Sequence, residues 1–285
     1  MEILHGYREN DSLRASFNSL AREVFGLDFE EWYQNGWWTD RYDPYSVVID
    51  GRVVANISVN RCDMNYNGKT VGLVQLGTVM THPDFRGRGY ARAIMERILS
   101  EYEGKADGMY LYANDSAREF YPNFGFAERK EYVYSAAVSQ TGERTAAKLP
   151  LRSGGELARA AEMIASSAQN ASLYMVNNTG LYMFYLSQFM KDDLFYLPGC
   201  GAYVIAEEEG DGLVLHAVFG DCSVDGAVRA FGKSVKKVVL RFTPHDASGF
   251  DIRELDEEDT TLFVKGRFFD ETADRLLTFQ AISRA

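Results

Sequence analysis

Apolar and polar positions along this chain follow two periods, and the switches between them mark its elements. Residues 3–7 read as a short first strand. From Asp11, taken as an N-cap, Leu13, Phe17, Leu20, Val24 and Phe25 share one face of a helix that Gly26 stops. Apolar runs at 45–49 and 53–59 flank Asp50-Gly51, and a third run, 71–80, follows Asn67-Gly68. Asp-Gly and Asn-Gly between such runs are hairpin signals, so an antiparallel meander is expected. The period then becomes helical, with Ala91, Ile94, Met95, Ile98 and Leu99 on one face up to Ser100 and Gly104 closing the helix. Residues 109–113 read as a strand, 117–124 as a short helix ended by Gly125, and 131–137 as a last strand.

The junction between the third strand and the following helix carries the chemistry. Pro83 breaks the strand, and Arg86-Gly87-Arg88-Gly89-Tyr90-Ala91 follows at once. Orphan backbone N–H groups and the positive end of a helix dipole point into such a turn, which suits it to an anion. Gly87 and Gly89 let the backbone come close, and Arg86 and Arg88 add charge. The pattern is neither a Walker loop nor the dinucleotide G-x-G-x-x-G. His82 opens the loop and reads as an exposed loop histidine rather than a base.

The order strand, R-x-x-G-x-A loop, helix, strand, N-x-x-A-x-x-x-Y helix, Gly-Phe, strand resembles the GNAT superfamily of acetyl-CoA-dependent N-acetyltransferases. Arg86 to Ala91 match its pyrophosphate motif; Asn114, Ala117 and Tyr121, followed by Gly125-Phe126, match its second motif. The resemblance implies an α/β (α+β) fold with a mixed, mostly antiparallel central sheet flanked by helices. It implies that the backbone at Val79, Met80 and Thr81 pairs with the pantetheine arm of acetyl-CoA, that Arg86, Gly87, Arg88, Gly89, Tyr90 and Ala91 wrap the pyrophosphate, and that Asn114 meets the pantetheine amide. Tyr121 would be the general acid, since a phenol with an ordinary pKa of about 10 is a fitting donor to a thiolate of about 8.5. No metal is expected.

Between the first helix and the meander, Phe29, Trp32, Tyr33, Trp37, Trp38 and Tyr42 interleave with Asp28, Glu30, Glu31 and Asp40. The spacing fits a short amphipathic helix whose rings pack on the core. The sharper reading is a wall for a cationic amine, built from Glu30, Glu31, Trp37, Trp38 and Asp40, with the carboxylates also candidate bases through water.

The expected division is an acetyl-CoA-binding domain at 1–137, a small-residue linker at 138–150 and a second, smaller α/β domain at 151–285. Helices are expected at 155–167, 180–190 and 224–231, and strands at 202–206, 213–219, 236–242 and 262–269, with 278–283 a final extended piece. Hairpin, helix, strand repeats the order of the first half, and the residues around Tyr203 echo those around Tyr45. Gly220-Asp221-Cys222-Ser223 stands where the arginine loop would be, so the second half reads as a degenerate GNAT-like copy without a CoA site, an unrelated accessory domain being the alternative. The Met- and Tyr-rich stretch 174–186 would pack the halves together or line a cleft between them. Among related two-part enzymes, the enhanced-intracellular-survival aminoglycoside acetyltransferases use the C-terminal carboxylate to deprotonate the amine, a role the resemblance would pass to Ala285.

Composition bounds the function. The chain has 285 residues, 46% hydrophobic and 25% charged, with a net charge of −11, and both halves are acidic. That argues against a nucleic-acid surface and is compatible with a cationic substrate. Cys62, Cys200 and Cys222 are scattered without metal or redox spacing and read as free thiols of a reducing compartment. No secretion signal or membrane-length apolar run is read, so the expected location is the cytoplasm and no membrane partner is expected. The expected partner is a small-molecule or peptide amine, with a homo-oligomer left open; a non-catalytic acyl-CoA sensor on the same fold is the alternative function.

Overall fold

The structure is a computed structural model and describes residues 2–284. The first half forms β1 (Ile3–Leu4), α1 (Asp11–Phe25), α2 (Glu30–Gln34), β2 (Tyr42–Ile49), β3 (Arg52–Tyr66), β4 (Lys69–Thr81), α3 (Tyr90–Tyr102), β5 (Gly108–Ala113), β6 (Ala127–Glu128) and β7 (Tyr132–Ala137). The second half forms β8 (Ala147–Lys148), α4 (Gly154–Ser166), β9 (Leu173–Val176), α5 (Thr179–Gln188), β10 (Leu194–Leu197), β11 (Ala202–Glu209), β12 (Gly212–Phe219), α6 (Val224–Ala230), β13 (Lys237–Leu240), β14 (Asp251–Glu254), β15 (Thr261–Lys265) and α7 (Arg267–Glu271). No helix among the described residues is long and apolar enough to cross a membrane.

The class is the expected one: two mixed, mostly antiparallel sheets flanked by helices. The first has the order β1-β2-β3-β4-β5-β15-β6, with β9 added to the far end of β3; the second is β14-β7-β13-β12-β11-β10-β8. The two share a plan. In the first, the antiparallel strands β2, β3 and β4 are followed by α3 and a parallel β5. In the second, β10, β11 and β12 are followed by α6 and a parallel β13.

The halves exchange a strand. β15, late in the chain, lies antiparallel between β5 and β6 in the first sheet. β7, from the first half, lies antiparallel between β13 and β14 in the second. The expected boundary at residue 137 is therefore corrected, because each sheet is completed by the other half. The expected linker is also structured: β8 pairs with β10, and the Thr145 and Ala146 N–H groups donate to the Ala230 carbonyl.

Three apolar cores follow from this plan. Ile94, Met95 and Ile98 of α3 pack on one face of the first sheet with Ile57, Leu111 and Phe263. On its other face Phe17, Phe29, Trp32 and Tyr42 meet Leu181, Phe184 and Phe279 from the second half. The third core lies around the second sheet and α6. At the seam, Gly180 is required: a Cβ there would lie 2.1 Å from the Trp37 carbonyl oxygen, and the Gly180 carbonyl accepts the Trp32 Nε1–H at 2.6 Å.

Several local expectations shift. The first helix is capped by Asn10 rather than Asp11, its side chain accepting the Leu13 N–H at 3.1 Å. The expected helix at 117–124 is two 3-10 turns, Asp115–Ala117 and Tyr121–Phe124, because Pro122 lacks an N–H and its ring excludes a continuous helix. The expected strand at 262–269 ends at Lys265, where Gly266, at a φ of +108°, turns the chain into α7. Cys200 and Cys222 are not free: they are paired as a disulfide, with Cα atoms 5.8 Å apart. They flank the base of the β11–β12 hairpin, where Tyr203 pairs with Phe219, so proximity arises only once the hairpin forms. This removes the scatter of thiols as an argument about compartment. Cys62 stays free and buried, and burial pushes its thiol up to about 12.

Strand exchange has a measurable consequence. β15 contributes Leu262, Phe263 and Val264 to the cores, each contributing about 1.5–3 kcal/mol when buried. Residues 1–137 alone, with β5 left as an open edge, are expected to show no cooperative urea transition by tryptophan fluorescence, whereas the whole chain does. A cooperative, monomeric fragment would overturn the dependence on β15.

Candidate active site

β4 and β5 are paired only between Leu73–Leu76 and Gly108–Leu111. Beyond that they part, and Gly77, Thr78 and Val79 face Ala113 and Asn114 across a cavity of about 590 Å3. The parting is built into the other edge of β4. Its register against β3 shifts between Asn56 and Ser58, and Thr78 sits there at a φ of +47°. Such a backbone costs a β-branched residue roughly 1–3 kcal/mol. It is held by Asn56, whose Nδ2 donates to the Thr78 carbonyl at 2.9 Å, and by a hydroxyl contact between Thr78 and Tyr42. Val79 lines the cavity, Met80 alternates into the core, and Thr81 is half-buried, its carbonyl accepting Arg86 Nε at 3.2 Å.

Past Thr81 the chain makes a 3-10 turn, Pro83–Phe85, then reaches α3 through Gly87 (φ +73°) and Gly89 (φ +78°). The backbone N–H groups of Gly87, Arg88, Gly89, Tyr90 and Ala91 donate to no backbone acceptor among the described residues, as the first turn of a helix requires. Arg88 donates to the Asp84 carbonyl at 2.8 Å and lies over Phe85, 4.8 Å from the ring centre. Both arginines are exposed, so the loop presents free N–H groups and two cations. His82 is not an open loop residue: its Nδ1 accepts the Asp84 N–H at 3.2 Å and its Nε2 lies 3.5 Å from Glu23. That makes it the cap of the turn.

Tyr121 is 2% exposed and lines the cavity with Asn114 and Ala117. Burial alone pushes its hydroxyl up to about 12, so it keeps its proton at neutral pH. Asn114 is exposed and accepts a hydrogen bond from Ser116.

The remaining walls differ from the sequence expectation. Glu30, Glu31, Trp37, Trp38 and Asp40 do not line the cavity; Phe29, Trp32 and Tyr42 from the same stretch do. Glu30 accepts Arg14 at 2.9 Å, which holds its carboxyl below the usual carboxylate range. Glu31 is exposed, and Asp40 accepts Arg61 at 2.7 Å. Trp37 is pressed on Gly180, and Trp38 is buried among the rings, donating to the Tyr42 carbonyl at 2.9 Å. The charged positions solvate the outside of this segment while its rings turn inward. The second half adds Leu181, Phe184, Tyr185 and Phe189, so α5 both packs the halves together and lines the cleft.

A charged cluster stands beside the cavity, where Tyr112 and Arg284 line it. Arg284 pairs with Glu131 at 3.1 Å and Glu257 at 2.5 Å, and Arg241 joins Glu257. The Arg284 guanidinium lies over Tyr112, 4.2 Å from the ring centre, and Tyr112 donates to Glu131 at 3.2 Å. Burial pushes the Glu131 carboxyl up, against the pull of Arg284. The Tyr185 hydroxyl donates to the Arg284 carbonyl at 2.7 Å. Sequence reasoning missed this cluster; the one signal was Tyr112, two residues before Asn114 and so on the same strand face. Ala285 lies outside the described residues.

The second sheet has a matching gap, and it is filled. β12 and β13 pair only from Gly212–Leu215. The Asn170 N–H then donates to the Val218 carbonyl and the Ser172 N–H to the Thr243 carbonyl, both at 2.9 Å. Gln280 donates to Gln169 at 2.7 Å and to the His216 carbonyl at 3.2 Å.

Residues 8–129 match the family described as acetyltransferase (GNAT) domain. Among solved structures, a probable N-acyltransferase from Enterococcus faecalis superposes with a TM-score of 0.61 at 16% identity, over 93% of this chain and 72% of that one. Eis1 from Mycobacterium abscessus gives 0.55 at 15%, over 92% and 73%. A GCN5-related N-acetyltransferase from Kribbella flavida gives 0.54 at 12%, over 93% and 72%. These likenesses concern the fold. Comparison with curated protein sequences finds no match.

Arg284→Met strands Glu131 in a buried site, which typically costs 3–5 kcal/mol, so a loss of about 3 kcal/mol is expected in urea unfolding. The double variant Arg284→Met, Glu131→Gln should recover part of that loss. A double variant as unstable as the sum of the singles would show that the pair is not coupled.

Proposed function

We propose, from the match of residues 8–129 to the family described as acetyltransferase (GNAT) domain, that the chain moves the acetyl group of acetyl-CoA to a primary amine by direct attack in a ternary complex. The observation that carries the reading is the parting of β4 from β5 beside a buried, protonated tyrosine, at the end of a strand that leads into a loop of free N–H groups.

In this reading the unpaired edge of β4 at Val79 to Thr81 holds the pantetheine arm by backbone hydrogen bonds, as an added strand would be held. Gly87 to Ala91 and the two arginines take the pyrophosphate. Asn114 offers its side-chain amide to the pantetheine. The neutral amine attacks the thioester carbonyl; the C–N bond forms as charge develops on the carbonyl oxygen, for which a β4 backbone N–H is the donor. The C–S bond then breaks, and the Tyr121 hydroxyl gives its proton to the leaving thiolate. The proton of the nitrogen leaves to water; the one lining carboxylate among the described residues, Asp259, has its Oδ1 bonded to the Asp115 N–H. The filled gap in the second sheet supports one acetyl-CoA per chain.

Tyr121→Phe is expected to lower kcat for CoA thiol release about 100-fold with KM for acetyl-CoA nearly unchanged, the scale of losing a general acid. An unchanged kcat would remove Tyr121 from that role. Arg86→Ala with Arg88→Ala is expected to weaken CoA binding about 100-fold in calorimetry, the scale of two charge-assisted contacts, and to leave pantetheine binding much less affected. Equal losses for both ligands would count against the pyrophosphate assignment.

A further inference from the structure

The acceptor end of the cavity is apolar, and its composition selects among amines. Among the described residues that line it, only Asp259 and Arg284 carry charge. Arg284 is paired with Glu131 and Glu257; Asp259 Oδ1 accepts the Asp115 N–H at 2.6 Å, which sets its other oxygen beside Asn114. The Tyr42 and Tyr185 hydroxyls are likewise bonded to the protein. Among the described residues, the free polar groups are Tyr121, Asn114, Asp259 Oδ2 and the β4 backbone.

The aromatic wall is not a cage for a cation. Phe29 is stacked between Phe184 (5.2 Å between centres, 9° between planes) and Tyr42 (5.9 Å, 20°), and Trp32 is stacked on Trp38 (5.7 Å, 24°). Ring faces are what attract an ammonium, and the faces of Phe29 and one face of Trp32 are covered within the wall. At the mouth, Phe25 and Phe189 are 43% and 57% exposed. They are two of the four large hydrophobic side chains left exposed among the described residues, and both line this cavity. Exposed apolar side chains gathered at one cavity suit a ligand with an apolar surface.

Building on the transferase reading of this same site, we propose that the acceptor is a monoamine carried on an aromatic or branched apolar body, not a polyamine or an amino sugar. The amino group lies at the Tyr121 end and the body against Phe29, Phe184 and the Phe25–Phe189 rim. A second ammonium would lie along the Phe29–Phe184 wall or the Phe25–Phe189 rim, away from the one lining carboxylate at Asn114, and would be desolvated there without a partner among the described residues, which proteins do not tolerate cheaply. The acidic surface elsewhere attracts any amine at long range, but salt screens that attraction over about 10 Å and it does not choose among them.

The test uses the full chain, acetyl-CoA and a thiol-release assay with 2-phenylethylamine, methylamine, spermidine and kanamycin. The expected result is a kcat/KM for 2-phenylethylamine at least about tenfold above the other three, the scale at which an apolar pocket discriminates. Phe189→Glu, on the open rim, should lower the ratio of 2-phenylethylamine to methylamine about tenfold. Preference for spermidine or kanamycin overturns the apolar acceptor while leaving the transferase reading intact. No turnover of any amine by a chain that binds acetyl-CoA overturns both. If octanoyl-CoA is preferred to acetyl-CoA and Phe189→Glu abolishes that preference instead, the cavity holds the acyl chain and the acceptor proposal falls.

Discussion

The structure depends on a reciprocal exchange of strands. β5 would be a bare edge without β15, and β13 without β7. A strand edge with unpaired N–H and C=O groups is unfavourable when buried and sticky when exposed, so each half needs the other to finish its sheet. Everything that makes the cavity composite follows. Once β15 is seated beside β5, the segment before it brings Asp259 and Thr260 to Asn114, and the chain end after it delivers Arg284 to Tyr112. α5 closes over Phe29 and Trp32 from the other side.

The same plan, used twice, gives one open gap and one closed one. In both sheets a parallel pair forms after a helical crossover and stops after four residues. In the first sheet the gap beyond is left to a cavity. In the second, residues 169–173 and Gln280 run through it and take up its hydrogen bonds. The difference lies in which segment reaches the gap. The loop after β4 turns away through Gly87 and Gly89 into α3, carrying Arg86 and Arg88, whereas the stretch after β12 has no arginines and sits under the disulfide partner Cys222.

The loop from Arg86 to Ala91 and the residues Asn114 and Tyr121 were legible because their meaning is local. Two glycines at positive φ, a proline ahead of them and a helical period after them define a strand-to-helix turn whatever lies around it. The 28–43 stretch was legible only as to its rings. That Phe29, Trp32 and Tyr42, rather than Trp37 and Trp38, face the cavity depends on Gly180 of α5 pressing on the Trp37 carbonyl. Its carboxylates had no local signal to distinguish a substrate wall from a solvated face, and the partners that settle it, Arg14 and Arg61, come from α1 and β3.

By itself the sequence determined the meander, the crossover helix, the anion-suited turn and the recurrence of that order in the second half. All rest on periods of 2.0 and 3.6 and on glycine and proline, which act within a few residues. Tertiary structure alone decided the exchange of β7 and β15, the Cys200–Cys222 pair, the Glu131–Arg284 cluster and the apolar character of the cavity. Each of these joins residues distant along the chain. Which edge a strand fills, or which ring meets which, is set by competition among all the surfaces to be buried, and periodicity records that a face is apolar without recording what covers it.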